Sequence, residues 1–422
     1  MSEHAVSPIA APDLAVRLPG SRSLTNRALV CAALADGTSE LSGWLDSDDT
    51  RAMREGLARL GVGIEQGNSE LEIHGTAGNF AIPLRPLDCG ASGTTMRFLT
   101  ACASLAPGKV VLDGTDRMRE RPIGELCDAL QGLGVQARCI AGRPPVTVHG
   151  GQLQGGSIRV DAAVSSQFLS AILLVAPLAD AEVELEAPEI TSRPFVDLTL
   201  EVMRDFGVQV DLSGEGRLRI PGGQRYRPRG YSIEPDAMSA GYFLAIAAVT
   251  GGRVQVDGLS PASSQPDLRF IEVLERMGCA VERRTGAIAV RGPRYLHGVD
   301  ADLNEMPDSA LLLAVLACFA HGPTTIRNIS NLRVKESDRI AALETELSKL
   351  GAEVETSEHD IRIRPPEKVR AARIATYDDH RIAMSFAVAG LRVPGVVIEN
   401  PECVSKTFPG FFDRLADLAP GR

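Results

Sequence analysis

The sequence predicts an α/β protein built from six similar segments in two lobes. Each segment has a short strand, a turn rich in Asp, Ser and Gly, and an apolar helix of small residues. Their spacing of about seventy residues is longer than that of solenoid repeats, so each segment is expected to be a small subdomain. The length of 422 residues also exceeds the size at which one core stops growing. The segments start at Ala15, Arg85, Ser157, Ser232, Val299 and Arg373.

The first five segments also contain a second, amphipathic helix that is expected to end at a glycine. In each, a glycine stands where a C-terminal cap needs it, and an alternating strand follows. The sixth segment ends differently, at 411–418. The order strand, helix, strand, helix, strand predicts α/β packing with right-handed crossovers. The five stretches are 53–62, 126–135, 198–208, 272–281 and 343–354.

Two short stretches are candidate crossings between the lobes. Residues 221–231 are dense in Gly, Pro and Arg, and Pro19-Gly20 is a second break. If both are hinges, residues 21–231 form one lobe with three repeats. Residues 1–20 plus 232–422 then form the other lobe, and a ligand cleft is expected between the two.

Composition excludes several classes of function. A net charge of −10 with one Trp and five Tyr argues against nucleic-acid binding and against binding to an anionic membrane. The eight cysteines form no C-x-x-C pair, which favours a reducing compartment and no zinc site. The first fifteen residues show no signal-peptide pattern. The apolar run 310–320 is too short to span a membrane and is interpreted as a buried helix. A cytoplasmic protein is expected.

Three turns before small-residue helices carry groups that suit anions. Residues 18–27 combine two arginines with three hydroxyl groups before a helix expected over 27–34, although simple capping explains them equally well. Residues 90–97 form a glycine-rich turn without nucleotide-loop spacing, where the glycines could instead serve tight packing. Residues 116–124 place three arginines before a helix, and either a solvated face or carboxylate and phosphate binding fits them.

Later segments add carboxylates and further cations. Residues 165–167 lie at a helix start, as a cap or a polar contact, and Asp308 could be a cap or a general base. In 331–339 a helix would put Lys335 and Arg339 on one face beside Glu336, or the charges could form a surface network. Residues 378–381 and Lys406 are late cationic sites. Together these groups suit a multiply anionic small molecule.

These motifs resemble the 5-enolpyruvylshikimate 3-phosphate (EPSP) synthase family, within the enolpyruvyl transferases. The resemblance implies a two-lobed enolpyruvyl transferase fold, an inverse α/β barrel of six βαβαββ-type repeats, three per lobe. It implies transfer of the enolpyruvyl group of phosphoenolpyruvate to the 5-hydroxyl of shikimate 3-phosphate through a tetrahedral intermediate. It also implies no metal or organic cofactor and a monomer. The motifs, in order from Leu18 to Phe412, are LPGSRSLTNRA, LDSDDT, SGTTMR, RMRERPIG, SSQFLSA, MPDSA, LRVKESDR, DDHRIAMSF and KTFPGFF.

The resemblance also implies a role for each matching residue. Asp308 would take the hydroxyl proton, Glu336 would serve the methylene carbon, and Lys335 would join them in catalysis. The implied contacts to shikimate 3-phosphate are Arg22, Ser23, Arg27, Ser165, Ser166, Gln167, Ser192, Asp308, Asn331 and Lys335. The implied contacts to phosphoenolpyruvate are Arg22, Gly93, Arg121, Gln167, Arg339, Arg381 and Lys406.

Three positions depart from the family pattern. Arg22 stands where Lys is usual, Ala91 where Asn is frequent, and Phe195 where Tyr is common. The alternatives are a specialised enolpyruvyl transferase acting on another hydroxylated phosphate, or a paralogue weakened by Arg22 that only binds anions. An enzyme for UDP-N-acetylglucosamine is disfavoured because its loop cysteine has no counterpart in 113–124.

Overall fold

The protein is described by a computed structural model that covers residues 2–67, 69–212, 214 and 216–418. The chain divides into two compact units. We call Gly20–Ile233 the continuous unit, and Met1–Pro19 together with Glu234–Arg422 the split unit. Each unit has its own hydrophobic core.

Helices and strands alternate along most of the chain. The α-helices are α1 (Arg22–Leu34), α2 (Asp48–Arg59), α3 (Gly93–Cys102), α4 (Gly124–Gly132), α5 (Ser166–Val175), α6 (Pro194–Asp205), α7 (Ala237–Thr250), α8 (Phe270–Arg276), α9 (Ala310–Ala317), α10 (Arg339–Lys349), α11 (His380–Gly390) and α12 (Phe411–Ala416). Short 3-10 helices are Ala103–Leu105, Met118–Glu120, Ala176–Leu178, Pro266–Arg269, Pro307–Ser309, Ser330–Val334 and Pro401–Lys406.

The strands are short, as expected for repeated small sheets. They are β1 (Glu3–Ala5), β2 (Asp13–Arg17), β3 (Thr38–Ser42), β4 (Gly63–Gln66), β5 (Glu70–His74), β6 (Leu87–Asp88), β7 (Lys109–Asp113), β8 (Gln136–Ile140), β9 (Arg143–His149), β10 (Gly156–Arg159), β11 (Val183–Glu186), β12 (Asp211–Leu212), β13 (Arg217–Ile220), β14 (Gly230–Ser232), β15 (Arg253–Asp257), β16 (Ala280–Arg284), β17 (Ala287–Arg291), β18 (Leu296–His297), β19 (Asp300–Asp302), β20 (Ala320–His321), β21 (Thr324–Arg327), β22 (Glu353–Thr356), β23 (Ile361–Arg364), β24 (Arg373–Ile374) and β25 (Val397–Glu399).

The sheets repeat one topology. In the sheet β6-β7-β9-β8, the first pair is parallel and the next two pairs are antiparallel. The same pattern recurs in β10-β11-β13-β12, β14-β3-β5-β4, β2-β15-β17-β16 and β19-β21-β23-β22. The last repeat pairs β24 with β25 in parallel, and the N-terminal β1 completes it in antiparallel. The predicted fold of six βαβαββ-type repeats is therefore confirmed.

The first and fourth repeats exchange their first strands, which the sequence does not reveal. Strand β2 precedes α1 in the chain, yet it pairs in parallel with β15 of the fourth repeat. Strand β14 precedes α7, yet it pairs in parallel with β3 of the first repeat. Gly20 lies just after β2, where a Cβ atom would come 1.9 Å from the carbonyl oxygen of Gly43. Only glycine permits this close approach of two backbones.

Six helices are buried on all sides. They are α1, α3 and α5 in the continuous unit, and α7, α9 and α11 in the split unit. Helix α3 packs against α1 and α5, and α7, α9 and α11 pack against one another. Their small apolar residues permit this central position, because a helix that is apolar all round must be buried. Polar groups that the cores cannot accept therefore concentrate at the ends of these six central helices.

The predicted glycine stops of the second helices are confirmed. Helices α2, α4, α6, α8 and α10 are each followed by a glycine with positive φ, and then by a strand. The five φ values lie between 85° and 101°, a conformation that other residues avoid. The glycines are Gly61, Gly134, Gly207, Gly278 and Gly351.

Two predicted helix boundaries are wrong, and capping explains both. Helix α1 begins at Arg22 rather than at residue 27, because Ser21 Oγ accepts the amide of Leu24 and caps the helix earlier. Helix α10 begins only at Arg339, because Asp338 accepts the amide of Ala341. Lys335 therefore lies before the helix and does not share a helical face with Arg339.

Candidate active site

The N-terminal end of α1 holds Arg22 in an ion pair. Arg22 Nη1 lies 2.9 Å from Asp49 Oδ2, and Asp49 stands in the first turn of α2. The side chain of Asp49 is 3% exposed and that of Arg22 17%, so the arginine side chain remains partly accessible. Thr95 Oγ1 donates to the carbonyl oxygen of Asp49 (3.1 Å) and so connects this pair to α3. Ser23, the next predicted contact, is half-buried.

Arg27 connects three helices of the continuous unit. Its Nε donates to Thr199 Oγ1 (2.8 Å), its Nη1 to the carbonyl oxygen of Ser23 (3.0 Å) and its Nη2 to that of Phe195 (2.9 Å). Thr199 in turn lies 2.9 Å from Ser170 Oγ in α5. Burial lowers the pKa of Arg27 to about 10. The partners of this buried cation are neutral oxygens, so Arg27 keeps its positive charge unbalanced by any of them.

Two guanidinium groups meet above the N-terminal end of α3. A Cβ atom on Gly93 would lie 2.5 Å from Arg97 Nη1 and 2.7 Å from Arg121 Nη2. Both arginines are buried, and Arg97 Nη2 donates to the carbonyl oxygen of Pro122 (2.7 Å). Two cations at a helix N-terminus favour an anion. Arg97 was not a sequence candidate, although it closes the same glycine-rich turn.

The third central helix of this unit offers hydroxyl and amide groups. Ser165 caps α5 by accepting a hydrogen bond from the amide of Gln167 (3.3 Å). A cap is one of the two roles that the sequence left open for this stretch. Gln167 Nε2 donates to Thr94 Oγ1 (3.2 Å), which joins α5 to α3. Ser166 is buried beside them, and Ser192 is held at a φ of 53° just before α6. A non-glycine residue in this conformation needs support from its surroundings.

Asp308 is surrounded by cations in the split unit. Its Oδ1 accepts from Arg339 Nη1 (2.8 Å) and lies 3.7 Å from Lys335 Nζ, while its Oδ2 lies 2.9 Å from Arg381 Nη2. Burial raises the pKa of Asp308, but Arg381, Lys335 and Arg339 outweigh burial and hold it well below the ordinary value. Asp308 is therefore an ionised carboxylate that can accept a proton.

Arg339 is the centre of this network. It contacts Glu336 Oε2 at 3.0 Å, and its Nε and Nη2 bind the two oxygens of Asp379 at 2.7 and 3.1 Å. Arg339 is 1% exposed and Asp379 is fully buried. Lys406 Nζ lies 3.6 Å from Glu336 Oε1. Six of the seven predicted residues of this unit thus form one cluster of ion pairs, and Asn331 lies buried in the 3-10 helix before Lys335.

The sequence did not single out several buried groups of the cluster. Asp379 lies in a motif chosen for its cations, and it also caps α11 by accepting the amide of Arg381 (3.0 Å). Asp267 accepts from Ser309 Oγ (3.0 Å), and Ser309 follows Asp308. His380 is buried, and burial together with Arg381 holds its pKa well below the ordinary value. Two aspartates before a helix, as at 378–379, indicate a helix cap in the sequence. Nothing in the sequence indicates that Asp267 is buried.

The residues that the structure describes hold no group of three or more His, Cys, Asp or Glu side chains placed to bind a metal ion. They also hold no helix that is both long and apolar enough to cross a membrane.

Each unit has an α/β fold with cations and carboxylates at the N-terminal ends of its central helices. This arrangement is typical of an α/β enzyme that acts on small anions. The family model of EPSP synthase (3-phosphoshikimate 1-carboxyvinyltransferase) matches residues 7–415. The chain belongs to this family of transferases.

Individual relatives agree over the whole length. Proteins named 3-phosphoshikimate 1-carboxyvinyltransferase from Klebsiella pneumoniae subsp. pneumoniae and Vibrio cholerae are 45% and 46% identical, covering 99% and 96% of both chains. A solved structure of EPSP synthase from Acinetobacter baumannii has a TM-score of 0.82 at 31% identity and covers 99% of this chain and 98% of its own. An enolpyruvyl transferase from Streptomyces tendae, with a TM-score of 0.79 at 20% identity, covers 99% of this chain and 96% of its own and shows the fold alone.

Proposed function

We propose that this protein transfers the carboxyvinyl group of phosphoenolpyruvate to the 5-hydroxyl group of shikimate 3-phosphate and releases phosphate. Family membership supports the reaction. The observation that carries the proposal for this chain is the ionised Asp308 among Arg339, Arg381 and Lys335. A base surrounded by cations suits a reaction in which a hydroxyl loses its proton beside two anionic substrates.

The proposed contacts divide between the units. The continuous unit would supply cations and hydroxyl groups, and the split unit would supply the acid–base pair with further cations. For shikimate 3-phosphate we propose Arg22, Ser23, Arg27, Ser165, Ser166, Gln167, Ser192, Asp308, Asn331 and Lys335. For phosphoenolpyruvate we propose Arg22, Gly93, Arg121, Gln167, Arg339, Arg381 and Lys406.

Asp308 would act as the base for the 5-hydroxyl group. The hydroxyl proton moves to Asp308 while the oxygen bonds to the central carbon of phosphoenolpyruvate. Glu336, which must carry a proton at this stage, gives it to the methylene carbon. In the second step the carbon–oxygen bond to phosphate breaks, and Glu336 takes a proton back from the same carbon. Phosphate leaves with the proton that Asp308 took from the hydroxyl group, the double bond is restored, and both carboxyl groups return to their starting states.

Substrate binding would strengthen this base. Without substrates, three cations hold the pKa of Asp308 well below its ordinary value, although burial raises it. An anionic substrate that pairs with Arg381, Arg339 or Lys335 weakens their attraction for Asp308, which raises the pKa of the carboxyl. The proton affinity of the base therefore rises as the anionic substrates bind.

Phosphate release from purified protein, with shikimate 3-phosphate and phosphoenolpyruvate, tests the proposal. We expect turnover by the wild type and a loss of about 10²- to 10⁴-fold in kcat for Asp308→Asn, the usual worth of a general base. Glu367→Gln, which removes an exposed carboxylate of the same unit, is the matched control and should keep full activity. Binding of both substrates without any phosphate release by the wild type would contradict the proposed function.

We also propose a monomeric, cytoplasmic protein that needs no cofactor. All eight cysteines are free thiols, as suits a reducing compartment. Light scattering of the active protein tests the monomer, and a stable dimer would contradict it. Full activity after dialysis against a chelator tests the absence of a required metal.

A further inference from the structure

Asp267 is a buried carboxyl group beside the proposed base. It lies in the 3-10 helix Pro266–Arg269, just before α8, and is 9% exposed. Its Oδ1 accepts a hydrogen bond from Ser309 Oγ at 3.0 Å. Ser309 ends the 3-10 helix Pro307–Ser309 that carries Asp308, and its amide donates to the carbonyl oxygen of Met306 (3.0 Å). The bond therefore ties a loop of the fourth repeat to the turn that carries the base in the fifth.

Asp267 and Asp308 share one cation. Arg381 of α11 pairs with Asp308 Oδ2 at 2.9 Å, and the same guanidinium acts electrostatically on Asp267. The charged groups that face Asp267 are Arg381 from α11, Asp308 from the turn and Asp236, the N-cap of α7. The pKa of Asp267 is raised to about 6: burial, Asp308 and Asp236 raise it, and Arg381 and the Ser309 hydroxyl oppose them. Asp267 thus exchanges its proton close to neutral pH.

We propose that Asp267 is a positioning residue for the carboxyvinyl transfer: it fixes the turn of Asp308 through Ser309 and divides the attraction of Arg381 between two carboxylates. Asp308 is then a stronger base than it would be with Arg381 to itself, because a nearby negative charge favours the protonated form of a carboxyl group. This inference rests on the proposed function, in which Asp308 is the base.

The charge and the hydrogen bond can be separated by two variants. Asp267→Asn keeps an oxygen that can accept from Ser309 Oγ and removes the negative charge. Ser309→Ala keeps the charge and removes the hydrogen bond. Glu367→Gln is the control, because it removes an exposed carboxylate of the same unit. Each variant is measured for kcat and for both KM values between about pH 5 and pH 8, which spans the titration of Asp267.

Above pH 7, we expect the kcat of Asp267→Asn to be about tenfold lower than that of the wild type. Loss of the negative charge lowers the pKa of Asp308 by about one unit and so makes it a weaker base. The difference should disappear as the pH falls below 6, because the wild-type Asp267 is then protonated and also neutral. The KM for shikimate 3-phosphate should change less than about threefold, because Asp267 is not a proposed contact. For Ser309→Ala we expect a lower kcat. The change of kcat with pH should also move to higher pH, because the Ser309 hydroxyl stabilises the ionised form of Asp267.

The outcomes distinguish this inference from the proposed function. A wild type without turnover, or Asp308→Asn with full turnover, contradicts the proposed function or its base. Where the wild type turns over and Asp308→Asn does not, the ratio of the wild-type kcat to that of Asp267→Asn tests the charge of Asp267. A ratio that does not change with pH overturns the role of that charge. A normal kcat for Ser309→Ala overturns the positioning of the turn. Thermal unfolding of each variant confirms that the measured chains are folded.

Discussion

The two units hold buried arginines in opposite ways. In the split unit, the hydrogen bonds of Arg339 go to the carboxylates of Asp308 and Asp379, with Glu336 3.0 Å away. In the continuous unit, the hydrogen bonds of Arg27 go to two carbonyl oxygens and a hydroxyl. Neutral partners position a cation without cancelling its charge, whereas carboxylate partners cancel it. Arg27 therefore keeps a charge that can attract an anion, whereas carboxylates largely balance the charge of Arg339.

The largest effect is expected for Arg339→Met. Removal of this cation leaves three carboxylates close together, with Asp379 fully buried and Asp308 and Glu336 only 15% and 11% exposed. We therefore expect a loss of about 3–5 kcal/mol in the free energy of unfolding. Carboxyvinyl transfer should also become undetectable. Urea denaturation measures the first and phosphate release the second.

Arg333→Met is the matched control for Arg339→Met. Arg333 lies in the same segment and pairs with Asp338 at 3.2 Å, but both side chains are about a third exposed or more. We expect a cost of at most about 1 kcal/mol. Equal costs for the two variants would remove the distinction between buried and exposed ion pairs in this unit.

Arg27→Met should cost less stability than Arg339→Met. The carbonyl oxygens of Ser23 and Phe195 lose a donor, yet no buried charge is left without a partner, so we expect about 1–3 kcal/mol. The KM for shikimate 3-phosphate should rise more than tenfold, because Arg27 is a proposed contact. A stability cost above that of Arg339→Met would reverse the comparison between the units.

Gly93→Ala should act on phosphoenolpyruvate alone. The new methyl group would lie within 3 Å of the guanidinium groups of Arg97 and Arg121 and displace them. We expect the KM for phosphoenolpyruvate to rise about tenfold, a loss near 1.4 kcal/mol, with little change for shikimate 3-phosphate. Gly241→Ala is the control in central helix α7, where the nearest atom, Leu312 Cδ2, is 3.5 Å away. A similar KM change in both variants would deny a special role to the Gly93 turn.

Arg22→Lys should have the smallest effect. Lysine can keep the ion pair with Asp49 but loses the forked donor geometry of arginine. We expect kcat/KM to hold or to rise by up to about fivefold, and stability to change by less than about 1 kcal/mol. A loss of activity beyond tenfold would show that the fork of Arg22 is required, contrary to the family pattern at this position.

Local signals in the sequence predict much of the fold. The glycine stops after α2, α4, α6, α8 and α10 follow from the backbone conformation that a helix end requires. The exchange of β2 and β14 between repeats could not be predicted, because strand partners far apart in sequence leave no local pattern. The starts of α1 and α10 were misplaced because several polar residues in each turn could be the cap, and packing selects Ser21 and Asp338.

The charged motifs were predictable as motifs, but their pairing was not. Lys335 and Glu336 were expected on a helix, but both lie in the loop before α10. There Lys335 approaches Asp308, and Glu336 approaches Lys406. Asp379 is buried against Arg339, 40 residues away, and Asp267 is buried beside Ser309, 42 residues away. A buried carboxylate and an exposed one look alike in sequence, because burial depends on such distant partners.

The exchange of strands orders events during synthesis of the chain. The continuous unit is complete once residue 233 has been made, so it can fold while the remainder is still being added. Strand β2 must wait for β15, and β1 must wait for β25, which lies almost at the other end of the chain. The partners of β1 and β2 are thus made long after these strands themselves.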